Sequence, residues 1–370
     1  MKFSIAKKDL QKNIQNLYNI VPTHNTMPIL MNYLIEADEE NNKILFTVTD
    51  LEITVVSEFD AKVMESGKIA VLAKNLNDII NSLPNSLIHF YREEEKVHIN
   101  CEHSNFFLFC ADVNQFPIIP DKDLKNSLEF EANLFKKMIA NTHFAVSSDV
   151  NKRIYTGIKW DITPEEQSML AADGKRIAEF RINKNYDVEK KIERIVPIKG
   201  LNFLIKAINK DSDILHAKIE ENRIMFHYQN YTVFSHIIEG NYPDYSEVIP
   251  SDNKNILVVN KEQLIDSIKR ITFLDTIKVR IDINDKEIKL NAKNREEGEA
   301  HETISDFEYN GSPLKITFNY KYLNVMLQSL ETENAKFKIG NDKEAAVLIF
   351  NNEEKEKYWA RFLLMPLRTY

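Results

Sequence analysis

The sequence predicts an α+β fold of three tandem, similar domains, with antiparallel sheets and few helices. Two observations carry this reading. First, the 370-residue chain runs through one order of elements three times. Second, each pass closes on a bulky residue followed by proline: Phe116-Pro117, Tyr242-Pro243 and Met365-Pro366. These prolines stand 126 and 123 positions apart. Solenoid units run only about 20–50 residues, so the period denotes duplicated domains.

Each pass opens with a short strand that leads into a helix. The openings are Phe3-Ser4-Ile5 then Asp9-Leu10, Leu128-Glu129-Phe130 then Leu134-Phe135, and Leu257-Val258-Val259 then Gln263-Leu264. A second helix follows, marked by apolar residues at helical spacing: Leu76, Ile79, Ile80 and Leu83; Leu201, Leu204, Ile205 and Ile208; Leu323, Met326, Leu327 and Leu330. Helices are therefore predicted over 6–17, 73–83, 133–144, 199–210, 260–271 and 319–330. Strand-like alternation fills the intervals, as at 43–48, 96–99, 223–226 and 346–350, and polar clusters at 37–42 and 339–342 mark turns. Strands at the domain junctions are expected to run together as continuous sheets. Proline-bearing linkers at 117–127 and 243–254 set domains at 1–122, 123–250 and 251–370.

Composition narrows the function classes. The chain is 43% apolar, enough for ordinary cores, and no stretch is long and apolar enough to cross a bilayer. The opening Met1-Lys2-Phe3-Ser4-Ile5 turns charged at Lys7-Lys8, too soon for a signal peptide. Cys101 and Cys110 read as reduced thiols of a cytoplasmic protein. No glycine-rich phosphate loop, zinc spacing or nucleophile motif occurs, so no cofactor or metal is expected. Asp173 beside Arg176 is the nearest approach to a catalytic acid and has no second carboxylate arranged around it.

Charge is unevenly distributed. The chain carries −8, yet the six predicted helices carry +9 between them, which leaves −17 for strands and loops. The lysines also share faces. At 100° per residue, Lys206 and Lys210 project within about 20° of Lys199, opposite Leu201, Leu204, Ile205 and Ile208. Lys8, Lys12 and Gln15 oppose Leu10, Ile14 and Leu17, and Lys136 and Lys137 oppose Phe135, Met138 and Ile139. One charged helix face is ordinary solvated surface. Recurrence of the same sign in related domains points to a polyanion. Lysine dominates, with only 11 arginines, and a flexible point charge suits loose phosphate contacts. Three readings follow: a non-enzymatic DNA tether, a peptide-binding scaffold unrelated to DNA, and a hydrolase with triplicated domains.

Several segments then carry a family likeness. They are Met1-Lys2-Phe3, Met27-Pro28-Ile29-Leu30, Thr49-Asp50-Leu51-Glu52, Thr156-Gly157, Ala172-Asp173-Gly174-Lys175-Arg176, Tyr242-Pro243-Asp244-Tyr245 and Met365-Pro366-Leu367-Arg368. With these the whole chain resembles the bacterial DNA polymerase III beta subunit family, the sliding clamps. The resemblance implies the DNA clamp type of fold, with helices lining an inner face and antiparallel sheets outside. It implies a head-to-tail homodimeric ring around double-stranded DNA, without catalytic activity. It further implies a pocket for peptide motifs of the DNA polymerase III alpha subunit, the clamp loader and other clamp-binding proteins. Carried over by position, that pocket is lined by Tyr155, Ala172, Gly174, Lys175, Arg176, Ile177, Pro243, Val248, Leu364, Met365, Pro366, Leu367 and Arg368. DNA-facing positions by the same route are His24, Lys74 and the segment 149–153, with Lys152 and Arg153 as phosphate contacts. Phe106 and Leu108 would meet Phe273 and Leu274 of a second copy. The departures from the family pattern are Tyr155 for a common leucine, Glu247 for a familiar basic residue, and the Thr369-Tyr370 end.

Overall fold

Tyr231–His236 lies antiparallel to Ile53–Asp60, with Val233 opposite Val55, and Arg176–Asn183 lies antiparallel to Tyr358–Leu364, with Ala178 opposite Phe362. These two pairings join strands from different thirds of the chain into common sheets, as the junction strands were expected to do. The computed structural model describes residues 1–210, 213–250, 253–274, 276–350 and 357–368. Positions 251 and 252 of the second linker, and Thr369-Tyr370, lie outside the described residues.

The chain packs as two compact units, Met1–Lys136 with Lys199–Ile237, and Lys137–Ile198 with Ile238–Tyr370. The middle third contributes to both, because its strands complete sheets begun by the first and last thirds. In the first unit an eight-stranded sheet runs Leu128–Glu131, Ile214–Ile219, Arg223–Tyr228, Tyr231–His236, Ile53–Asp60, Lys43–Thr49, Asn32–Asp38, Gly67–Leu72. A five-stranded sheet runs Lys62–Glu65, Lys2–Ala6, Leu87–Glu93, Lys96–Cys101, Ser104–Phe109. In the second unit a nine-stranded sheet runs Ile192–Pro197, Gly157–Ile162, Glu166–Ala172, Arg176–Asn183, Tyr358–Leu364, Ala346–Phe350, Asn334–Ile339, Asn255–Asn260, Phe307–Asn310. A four-stranded sheet runs Gly298–Ile304, Ile288–Asn294, Lys278–Ile283, Leu314–Asn319. Side chains alternate between faces along each strand, which is why Ile53–Asp60 buries every second residue.

Six α-helices occur among the described residues: α1 (Lys7–Tyr18), α2 (Ala73–Ser82), α3 (Ala132–Ala140), α4 (Ile198–Ala207), α5 (Lys261–Ile271) and α6 (Tyr320–Ser329). Their buried stripes are the predicted ones, including Leu10, Ile14 and Leu17 on α1, Leu201 and Leu204 on α4, and Leu323, Met326 and Leu327 on α6. Asn260 and Asn319 cap α5 and α6 by accepting from the amides of Gln263 and Lys321 at 3.0 Å. Two helices end several residues earlier than expected. α3 stops at Ala140 instead of 144, where Thr142 Oγ1 donates to the Met138 carbonyl at 2.8 Å and Asn141 Nδ2 to the Lys137 carbonyl at 2.9 Å, taking up the last carbonyls. α4 stops at Ala207, so Lys210 lies beyond its face.

One device recurs in all three repeats. A lysine of the first helix donates its ammonium to the carbonyl just past the second: Lys7 to Leu83, Lys136 to Ile208 at 2.8 Å, and Lys261 to Leu330 at 3.1 Å. A cation at a helix C-terminus satisfies an orphan carbonyl and opposes the helix dipole.

Cys101 and Cys110 are free thiols. Cys101 pairs with Ser104 beside the hairpin turn, whereas the Cys110 amide bonds the Glu95 carbonyl at the far end, about 20 Å along the strand at strand rise.

Candidate functional site

The positions expected to form a peptide pocket all fall in the second unit. Strands Glu166–Ala172 and Arg176–Asn183 are joined by the turn Asp173-Gly174-Lys175, where Gly174 adopts φ +87°, a left-handed conformation that suits glycine. One oxygen of Asp173 accepts from the amides of Lys175 (2.8 Å) and Arg176 (3.0 Å), and the other accepts from Arg176 Nε at 2.9 Å. This carboxylate is fully engaged in shaping the turn, which argues against a role as a catalytic acid. The Arg176 guanidinium it fixes lies 4.1 Å from the ring centre of Tyr322 and 5.7 Å from that of Phe144.

Below the turn, Ala172, Ile177, Val347 and Leu363 are buried together, with Tyr245 and Ile249 packed against them. Tyr242 forms the side. Its phenol oxygen accepts from the Ala172 amide at 2.9 Å, and its ring centre lies 5.7 Å from Tyr155 and 6.1 Å from Tyr245. Burial pushes the Tyr242 and Tyr245 phenols up, and the hydroxyl of Tyr155 raises Tyr245 further, so both stay neutral. The chain end is held at the rim: the Met365 amide donates to the Lys175 carbonyl at 2.9 Å, and the Leu367 amide to the Thr317 carbonyl at 2.7 Å. Leu364 is buried, whereas Met365 and Val248 are 40% and 47% exposed. Pro243, Pro366 and Leu367 are half-buried; Gly174, Lys175 and Arg368 are exposed. The result is a buried apolar floor under an open rim of aliphatic and Met side chains. Such a surface takes apolar anchors, with guanidiniums to orient polar atoms. Tyr322, Phe144, Thr317 and Tyr245 belong to this site too. Sequence reasoning places none of the four in the pocket: Thr317 and Tyr322 lie far along the chain from the Gly174 turn, and Tyr245 reads only as part of the segment around Pro243.

The helix lysines divide into two classes. Lys8 and Lys12 on α1, Lys74 on α2, Lys206 on α4, and Lys210 beyond it are exposed, as are His24, Lys152 and Arg153. Three others are already partnered. Lys136 caps α4. Lys137 bonds Glu331 at 2.8 Å and the Tyr358 hydroxyl at 3.0 Å, with its ammonium 4.5 Å from the Tyr358 ring centre. Lys199 is paired with Asp50, whose carboxylate also accepts from the amides of Glu52 and Ile53. These three have structural work, and the exposed lysines are the free charges.

At the sheet edges, Ser104–Phe109 and Gly298–Ile304 each pair on one side only. Phe106 and Leu108 are half-buried, while Phe107 and Phe109 on the opposite face are 51% and 68% exposed, with Lys96 Nζ 4.9 and 5.7 Å from their ring centres. Phe273 is 75% exposed, but Leu274 is 4% exposed and sits in the core of its own unit. Among the described residues no helix is long and apolar enough to cross a membrane.

Comparison with known proteins agrees along the whole chain. Residues 1–120, 129–244 and 246–368 match the N-terminal, central and C-terminal domain profiles of the DNA polymerase III beta subunit. The chain belongs to the DNA polymerase III beta subunit family. It is 27% identical to the beta sliding clamp of Pseudomonas aeruginosa and 26% identical to that of Bacillus subtilis, covering 100% of both chains in each case. It superimposes on a crystal structure of the Pseudomonas aeruginosa sliding clamp bound to griselimycin with a TM-score of 0.92 at 26% identity, and on the Bacillus subtilis clamp with 0.91 at 25%, again covering 100% of each chain. As a beta-subunit family member it has the three tandem clamp domains, and its function is that of a DNA sliding clamp, a non-catalytic processivity factor.

Proposed function

We propose that the chain works as a head-to-tail homodimeric ring that encircles duplex DNA without sequence preference and tethers the replicative polymerase to it. The single observation that supports this most strongly is the succession of three family domains, in order, along the chain. Domain limits at 1–122, 123–250 and 251–370 accompany that reading, as does work in the cytoplasm. The exposed lysines Lys8, Lys12, Lys74, Lys206 and Lys210, with His24, Lys152 and Arg153, face the DNA. A screening length of about 8 Å confines their pull to a nearby backbone, and an acidic remainder discourages binding elsewhere.

Of the strands at sheet ends, we assign Ser104–Phe109 and Gly298–Ile304 to closing a ring between copies. Phe106, Leu108 and Phe273 supply apolar contact there, with Leu274 supporting from behind. The pocket around the Gly174 turn receives short motifs from the polymerase III alpha subunit, the clamp loader and other clamp-binding proteins.

A primer-extension assay on circular template with polymerase and loader tests the reading. Adding the protein should convert short products to products of template length, and the protein should sediment at twice the chain mass. Unchanged product length would contradict it.

A further inference from the structure

The two shared sheets are built alike, but the clefts beside them differ. In each unit a linker following the bulky residue–proline pair crosses the junction strands. Thr232 stands opposite Val56 as Arg361 stands opposite Glu179, so Val56 corresponds to Glu179, Glu58 to Arg181 and Thr232 to Arg361. In the second unit these positions form an ion cluster. Arg181 bonds Glu179 at 2.6 Å and Glu166 at 2.8 Å, and Arg361 bonds Glu179 at 2.5 Å, beside a space of only ≈ 130 Å³. In the first unit the cluster is replaced by Val56 and Thr232. A cleft of ≈ 530 Å³ lies between the sheet and the linker, with Leu34, Leu45, Val56 and Phe234 along it. That volume falls within the range of small-ligand sites, about 300–1,000 Å³.

Four features of this cleft point to an occupant. The hydroxyl of Thr47, on its lining, is fully buried and has no hydrogen-bond partner among the described residues. Ile118, at the linker rim, is 97% exposed and offers apolar surface for an occupant to cover. Among the described residues no hydrogen bond engages the amides of Ile118 and Ile119, which leaves main-chain donors at the rim. Glu58 reaches a cation only at 3.8 Å, on Lys43, which is held more closely by Asp60 at 2.8 Å. Glu36 is neutralised by Lys68, so Glu58 and Asp121 outnumber Lys122 in the cleft.

We propose that this cleft is a second docking site, separate from the pocket at the Gly174 turn, for a short extended peptide with two apolar anchors and one basic residue. The anchors occupy the space over Leu45 and Val56, the peptide main chain bonds the free linker amides, and its cation meets Glu58.

The test uses the full chain with methyl-labelled Ile, Leu and Val, titrated with an acetylated, amidated hexapeptide carrying two leucines around one arginine. Saturable shifts are expected at Leu45, Val56 and Ile118. Replacing the probe's arginine by glutamate should weaken binding by about tenfold, the reach of a partly buried charge contact. Glu58→Lys should remove that preference. Ile118→Ser, at a position too exposed to disturb folding, should weaken binding by roughly threefold or more through lost apolar burial. Shifts confined to Ile177 and Leu367, no saturable shift, equal affinity for the two probes, or unchanged affinity in either variant would overturn the proposal.

Discussion

The amide of Ala172 donates a 2.9 Å hydrogen bond to the phenol oxygen of Tyr242. This bond ties the residue before the second linker proline to the end of the strand that carries the Gly174 turn. Both groups are buried, so Tyr242→Phe leaves a main-chain donor unsatisfied and should cost about 1–3 kcal/mol of stability. Urea denaturation measures this. Affinity for a partner peptide should fall as well, since the turn loses its anchor. A variant as stable as the parent would show the bond to be incidental.

Removing Leu367 to Tyr370 should abolish capture of the polymerase peptide while leaving the dimer intact. The truncation deletes the Leu367–Thr317 main-chain bond and the Leu367 side chain from the apolar rim, and losses at such anchors run to about 2 kcal/mol or more, roughly thirtyfold in affinity. Peptide binding and sedimentation read the two effects separately. Dissociation into monomers would count against placing the pocket here.

Charge reversal should act differently on free and partnered lysines. Lys12→Glu with Lys206→Glu should leave stability almost unchanged and lower the salt slope of DNA association by roughly one for each phosphate no longer neutralised. Lys199→Glu should also destabilise the first unit, because it strips Asp50 of its cation and sets two carboxylates together. Equal thermal stability for Lys199→Glu and Lys206→Glu would refute that distinction.

His227 gives the first unit an acid-sensitive term. Burial, with help from Lys122, holds its imidazole down to about 4. Its folded pKa lies below the unfolded value of about 6.5, so the unfolded chain binds the extra proton between those values. Stability is therefore full above pH 6.5 and declines as pH falls toward 4. The ring is half-buried, and after allowance for solvent screening the loss is on the order of 1 kcal/mol. In His227→Gln the denaturation midpoint should fall less between pH 7 and pH 5. An identical fall in both proteins would exclude this contribution.

Local periodicity made most of the fold readable. Leu10, Ile14 and Leu17 announce the buried face of α1 through their spacing, and the Phe116-Pro117 and Tyr242-Pro243 pairs announce the linkers. Relationships across long sequence separations were not readable. Lys199 and Asp50 are 149 positions apart, and no pattern near either foretells the pair. The same holds for Tyr322 under Arg176. The alternation at 104–109 implies two faces without saying which is solvent-exposed, and Phe107 and Phe109 proved more exposed than Phe106 and Leu108. The ends of α3 and α4 depended on side-chain competition for carbonyls and on the chain's exit from the helix, both weakly encoded in spacing.

Retention on DNA before and after linearisation tests enclosure directly. Protein loaded on a closed circle should remain bound through a wash at high salt, then leave within the dead time once a single cut opens the circle, and remain if the new ends are blocked. Retention on the open linear duplex at high salt would contradict a topological tether and indicate adhesion instead.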